Sequence, residues 1–196
     1  MNNANKSGFT IIEVSILLVI FLIVAFLVAP LSLDDTRIAK NISRWRGVQG
    51  DFVNIFYSIN TNKNQDKTEF KELFMNVMEN DIKNDTKTYR INFMNGSFPN
   101  DYYRFKDYKN TYSNATLAVK LFDEPQDDVY GLLMYDVNGK SAPNIWGKDV
   151  FGMKIYANRF EPFCKEKSIS EQKQDCSKNG SGLCCSGYYL MGGNFD

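Results

Sequence analysis

Three oxygen-bearing side chains and four thiols are the groups in this chain whose types and spacing could do chemistry. Asp136, Asn138 and Asp149 lie in one segment, Asp136-Val-Asn138-Gly139-Lys-Ser-Ala-Pro143-Asn144-Ile-Trp-Gly147-Lys-Asp149-Val-Phe151. Hard oxygen donors around a glycine that permits a sharp turn can enclose calcium, which makes Asp136, Asn138 and Asp149 candidate ligands. The spacing is not that of an EF-hand, because the twelfth position counted from Asp136 is Gly147 rather than Glu. A turn in which Asp and Asn side chains bond their own backbone explains the same residues, and the sequence favours it over the metal. The thiols are Cys164, Cys176, Cys184 and Cys185, all near the C-terminus. They lack Cys-x-x-Cys spacing and the chain has no histidine, so a zinc site is poorly supported and two disulfides are expected. A bond between adjacent cysteines is strained, so Cys184 and Cys185 should each pair with Cys164 or Cys176, in either order. Disulfides in turn place the region in an oxidising compartment.

The absence of histidine also removes Ser-His-Asp and Cys-His catalysis and any imidazole pH switch. Carboxylates are plentiful, yet no spacing marks a pair for acid-base work, so an enzyme is not expected. With 23 basic against 23 acidic residues there is no chain-wide field to draw in nucleic acid. A length of 196 residues allows one ordinary domain with an appendage.

The appendage is visible at the start. From Phe9 to Leu33 the polar side chains are Thr10, Glu13, Ser15 and Ser32 alone. As a helix, 25 residues would measure about 37 Å, against a hydrocarbon core of about 30 Å. The apolar core of a cleavable secretory signal runs about 7 to 15 residues, and Val14 to Ala29 already exceeds it. Within this stretch Glu13 is the anomaly. A lone carboxylate costs roughly 2.5 to 3.5 kcal/mol or more near the centre of a membrane helix, so it needs a partner or a place at the interface.

The residues Lys6-Ser-Gly8-Phe9-Thr-Ile-Ile-Glu13-Val closely resemble the type III signal of the type IV pilin and pseudopilin family. The family pattern has a hydrophilic leader with a basic residue, Gly before the cut, Phe after it, and Glu five residues into the mature chain. Lys6, Gly8, Phe9 and Glu13 match in turn, and Pro30, the twenty-second residue from Phe9, matches a proline common in the family. The resemblance implies cleavage by a prepilin peptidase between Gly8 and Phe9, N-methylation of Phe9, and retention of the apolar helix as anchor and assembly surface. It also implies that the Glu13 carboxylate of one subunit pairs with the Phe9 ammonium of its neighbour. Such a pair cancels the desolvation of both charges and fixes the axial register. Pro30 lacks an amide hydrogen and clashes with the carbonyl of Phe26, so a kink or local unwinding is expected there. The segment from Asp136 to Phe151 is also similar to one found in pilin-like heads.

The elements that must carry these groups follow from periodicity. Ile38, Ile42, Trp45, Val48, Phe52, Ile55 and Ile59 recur every three or four residues, with Arg37, Lys40, Asn41, Arg44 and Arg46 assigned to the other face. One helix from about Phe9 to Asn60 is expected, weakened locally by Gly47 and Gly50. Asp66 and Glu69 look like a capping box before a second helix carrying Phe70, Leu73, Phe74, Val77 and Met78. Tyr89, Ile91 and Phe93 alternate before Asn95-Gly96, a hairpin dipeptide. Leu117, Val119 and Leu121 alternate too, and Val129–Val137 and Val150–Ala157 have strand composition. The expected fold is therefore α+β: a long N-terminal helix backed in its second half by a small antiparallel sheet, with a disulfide-pinned C-terminal segment of little regular structure. The divisions are a leader over residues 1–8, an anchor and assembly helix over 9–33, an amphipathic continuation over 34–60 and a head over 61–196.

These readings imply a structural subunit of a type IV pilus or of a type II secretion pseudopilus. Its partners would be other pilin subunits, prepilin peptidase, the inner-membrane assembly machinery and the membrane itself. The head would lie in the periplasm and later on an extracellular pilus or a periplasmic pseudopilus, and no cofactor is needed beyond the candidate calcium. The alternative is a minor pilin whose head binds DNA or a surface ligand. Tyr102-Tyr103-Arg104-Phe105-Lys106, with Tyr108, Lys109 and Tyr112, interleaves aromatic and basic side chains as nucleic-acid surfaces do. Asp101 and Asp107 dilute that patch, and the sequence favours a strand and loop with one packed face, so nucleic acid is not the expected partner.

Overall fold

The computed structural model describes residues 10–60, 82–83, 90–106, 108–111, 114–139, 141–156 and 159–195. Helix α1 spans Ile11–Asn60. It continues through Gly47, Gly50 and Pro30 without interruption, so any adjustment at the proline is a bend rather than a break. The helix expected over 66–78, and Tyr89, Asp107 and Tyr112, lie outside the described residues.

The chain divides after Arg37 into two units. In the first, apolar side chains surround the helix rather than forming a stripe, and those described from Ile11 to Leu27 are 49–87% exposed where they are large. An exposed apolar surface of that length is far beyond what water-facing helices carry. Among the described residues no helix is long and apolar enough to cross a membrane. The described side chains of the apolar run end at Leu27, about 25 Å from Ile11 at the helical rise. Near the end of this unit Arg37 pairs with Asp34 at 2.7 Å.

The second unit, Ile38–Asp196, holds the head. Its sheet is antiparallel with strands in chain order: β1 (Ile82–Lys83), β2 (Lys109–Thr111), β3 (Thr116–Gln126), β4 (Val129–Asp136), β5 (Val150–Tyr156) and β6 (Phe160–Pro162). The three long strands coincide with the expected ones. Asp127 and Asp128 join β3 to β4 with φ of 50° and 62°, the left-handed pair that a two-residue hairpin loop requires. Alternation then fixes the faces. Leu117 stands opposite Tyr135, and Tyr135 opposite Phe151; Val119 stands opposite Leu133, and Leu133 opposite Met153. These side chains form one core with Ile38, Ile42, Trp45 and Phe52 of α1. The helical stripe read from the sequence is thus the buried face as far as Phe52; the side chains of Ile55 and Ile59 lie outside the described residues. The reverse face, with Ala118, Leu132 and Met134, is covered by Ile91, Phe105, Tyr108, Trp146 and Phe163 in a second core. Each large side chain taken from water contributes about 1.5–3 kcal/mol.

Three expectations are corrected. Asn92 makes an isolated bridge to Ile145 instead of a strand, and Asn95-Gly96 turns a loop in which the Phe93 amide donates to the Ser97 carbonyl at 2.8 Å. The C-terminal segment is not irregular: it carries α2 (Ile169–Asp175) and α3 (Cys185–Leu190). Lastly, Asn41, Arg44 and Arg46 do not face away from the head, because their polar tips reach backbone carbonyls at the edge of the apolar stripe.

Candidate functional site

Thr10 and Glu13 close the start of α1 on each other. The Glu13 carboxylate accepts from the Thr10 amide at 2.8 Å and from its hydroxyl at 3.0 Å, while the Glu13 amide donates to the Thr10 hydroxyl at 3.2 Å. This is a capping box, which satisfies amides that the first helical turn leaves without partners. The sequence reading assigned Glu13 an assembly role and missed the Thr-x-x-Glu spacing that gives it a local one. Lys6, Gly8 and Phe9 lie outside the described residues.

The segment between β4 and β5 brings Asp136, Asn138 and Asp149 into one loop. Asp149 is wholly buried, and its two oxygens accept the amides of Asn144 at 2.8 Å and Ile145 at 2.7 Å. Asp136, also buried, accepts the Asn138 amide at 3.1 Å in an Asx turn. With its amide nitrogen turned toward acceptors, Asn144 donates to the carbonyls of Gly139 and Ser141 at 3.1 and 3.2 Å. Gly139 has φ of 65°, and a Cβ there would fall 2.0 Å from the Asn114 carbonyl oxygen, so the turn needs glycine. Among the described residues no group of three acidic or thiol ligands surrounds a common point. The carboxylates of Asp136 and Asp149 accept backbone N–H groups, as a turn requires, while the Asn138 side-chain oxygen is buried with no hydrogen-bond partner among the described residues.

What the loop holds is α1. Asn41 Nδ2 donates to the Lys148 carbonyl and Arg44 Nη1 to the Val137 carbonyl, both at 3.2 Å. One turn on, Trp45 stacks on Phe151 with centroids 5.1 Å apart, and Arg46 donates to the carbonyls of Tyr189 at 2.9 Å and Gly193 at 2.8 Å. Over these turns of α1 the apolar stripe packs, and the polar residues beside it clasp the loop and the C-terminal segment.

The cysteines resolve the pairing that the sequence left open as Cys164–Cys184 and Cys176–Cys185. Ser168 and Glu171 form a second capping box at α2, whose Ser-x-x-Glu signal was readable and unread. Asp175 was also missed: its carboxylate accepts the Ser181 amide and hydroxyl and the Cys184 amide at 2.7–2.9 Å, folding the cysteine loop around one acid. Tyr189 is fully buried and its hydroxyl donates to the Gly147 carbonyl at 3.2 Å, so this ring packs on the head.

In the aromatic-basic patch, Phe105 and Tyr108 are buried and Tyr102 and Tyr103 half-buried, the latter edge-on to Phe163 at 5.5 Å. Arg104 and Lys106 remain exposed. Most of the rings therefore serve the second core rather than a stacking surface. Compared with protein-family models, with curated proteins and with solved structures, the chain matches none of them.

Proposed function

We propose that this protein is a structural filament subunit of the pilin type, processed after Gly8 and assembled through the apolar part of α1 into a type IV pilus or a secretion pseudopilus. One observation carries the reading: a single helix whose first half is ringed by exposed apolar side chains also bears an acid in its first turn, at the position the signal motif requires. Apolar surface of this extent must be covered by lipid, by neighbouring copies, or by each in turn. The oxidised cysteine loop supports export of the head, because disulfides persist outside the reducing cytoplasm. The work of such a subunit is packing, so no catalytic group and no metal are needed.

The test is the mature N-terminus. Mass spectrometry of the chain recovered from membranes should show an N-methylated Phe9. An intact Met1, or a cut beyond Ala25, would assign the apolar segment to an ordinary anchor or a discarded signal and end the proposal.

A further inference from the structure

Arg90, Phe98, Arg104 and Tyr108 line a cavity of about 510 Å³, with Ile91 and Phe105 also in its wall. That volume falls within the range of small-ligand sites, about 300–1,000 Å³. Ile91, Phe105 and Tyr108 are anchored in the second core, so this part of the wall is rigid. Phe98 is the opposite: it is 58% exposed, and the Arg90 guanidinium lies over its ring at 5.1 Å. A cation–π contact of this kind keeps the guanidinium beside the ring, and a guanidinium so placed has N–H groups to offer a planar acceptor.

The charges are unequal. Arg104 pairs with Asp101 at 3.0 Å and donates to the Pro99 carbonyl, whereas Arg90 has no carboxylate partner among the described residues. Among the described residues, two guanidiniums against one carboxylate leave a single positive charge beside an aromatic face. We propose that this cavity binds a carboxylate carried on a ring, the carboxylate taken by the Arg90 fork and the ring laid against Phe98 and the apolar wall. One surplus charge suits a monoanion better than a phosphate monoester, which carries about −1.5 to −2 at neutral pH. Aromatic acids and the uronic acids of glycans share this chemistry. The site stands apart from the filament reading and would hold for any protein with this head.

The test uses the full chain in non-ionic detergent, titrated with benzoate and with glucuronate by calorimetry and ligand-observed NMR, and with inorganic phosphate as the control anion. Saturable binding of benzoate names an aromatic acid as the source, and binding of glucuronate names a glycan. Arg90→Gln should weaken that binding at least about tenfold, the loss expected for one charge-assisted pair, without changing the melting temperature. Arg90→Lys, which keeps the charge and loses the fork, should weaken it too, and serves if the glutamine variant misfolds. The proposal is overturned if neither acid binds, if phosphate binds as well as either, or if both Arg90 variants bind normally.

Discussion

The indole nitrogen of Trp45 donates to the carbonyl of Ser186 at 3.0 Å, joining residues 141 apart in sequence. The hydroxyl of the same serine accepts the Gly152 amide at 2.9 Å, so α1, β5 and α3 meet at one residue. Every partner here is buried, and a buried acceptor that loses its donor costs about 1–3 kcal/mol. Trp45→Phe should therefore destabilise the full chain by that amount while keeping most of the ring packing on Phe151. Trp45→Ala should cost about 3–5 kcal/mol, because a cavity is added. Urea unfolding in detergent measures both, and a Trp45→Phe variant as stable as the wild type would show that the hydrogen bond contributes nothing.

Asp149 binds two backbone amides with no solvent to replace it. Hydrogen bonds to a charged group contribute about 1.5–3 kcal/mol each, so Asp149→Ala should lose about 3 kcal/mol or more. The turn account requires the same loss with chelator present and in millimolar calcium. A wild type that melts higher with calcium, beside a variant that does not respond, would restore the metal reading.

The disulfides close loops of 20 and 9 residues. On the chain-entropy account each contributes about 2–4 kcal/mol, with the longer loop ahead by about 0.7 kcal/mol. Replacing both members of a pair by alanine should show that order in unfolding experiments, Cys164 with Cys184 above Cys176 with Cys185. Peptide mapping without reductant checks the pairing itself, and a Cys164–Cys185 peptide would contradict it.

Legibility followed the length of the signal. The stripe from Ile38 to Phe52 and the strands at Leu117, Val129 and Val150 repeat their period over two or more turns or pairs, and each was found where the sequence placed it. The misses are short or non-local. β6 has three residues, and α3 is stabilised by disulfides and by burial against α1, neither of which leaves a local pattern. Arg44 and Arg46 read as solvent residues because composition does not reveal a carbonyl supplied by a loop 93 residues later or by a helix 143 residues later. In the Asp136 loop the residues were found and their partners were not: the sequence offered oxygens, and only the fold shows that backbone amides take those of Asp136 and Asp149.

Acid should loosen the start of α2 and the segment that leads into it. The hydroxyl and amide of Ser168 hold the Glu171 carboxyl below the usual carboxylate range. Glu166 shifts the same way, since burial opposes its charge but a backbone amide and the Lys154 ammonium at 2.9 Å outweigh it. A depressed folded-state pKa contributes stability that is fully present above the unfolded value, near 4.3, and is lost as pH falls through the folded one. The stability gap between wild type and Glu171→Gln should thus be open at neutral pH and close below about pH 4. A gap that stays constant across that window would mean the carboxylate charge has no part in the cap.

Glu13 holds two roles that one pair of variants can separate. Within a lone chain its carboxylate completes the Thr10 capping box, and in the proposed filament it must accept a neighbour's Phe9 ammonium. A cap is worth about 0.5–2 kcal/mol, whereas a charge left unpaired in a dry bundle costs several. The second role should dominate assembly. Thr10→Val removes the hydroxyl but keeps the acid, so fibres should form at near wild-type yield; Glu13→Ala removes both functions, so fibre yield should fall at least about tenfold. Both variants are to be expressed in cells lacking any wild-type copy, with cleavage after Gly8 checked by mass so that a processing defect is not read as an assembly defect. If the two variants assemble equally well, or fail equally with processing intact, Glu13 acts only as a helix cap and register must be set elsewhere.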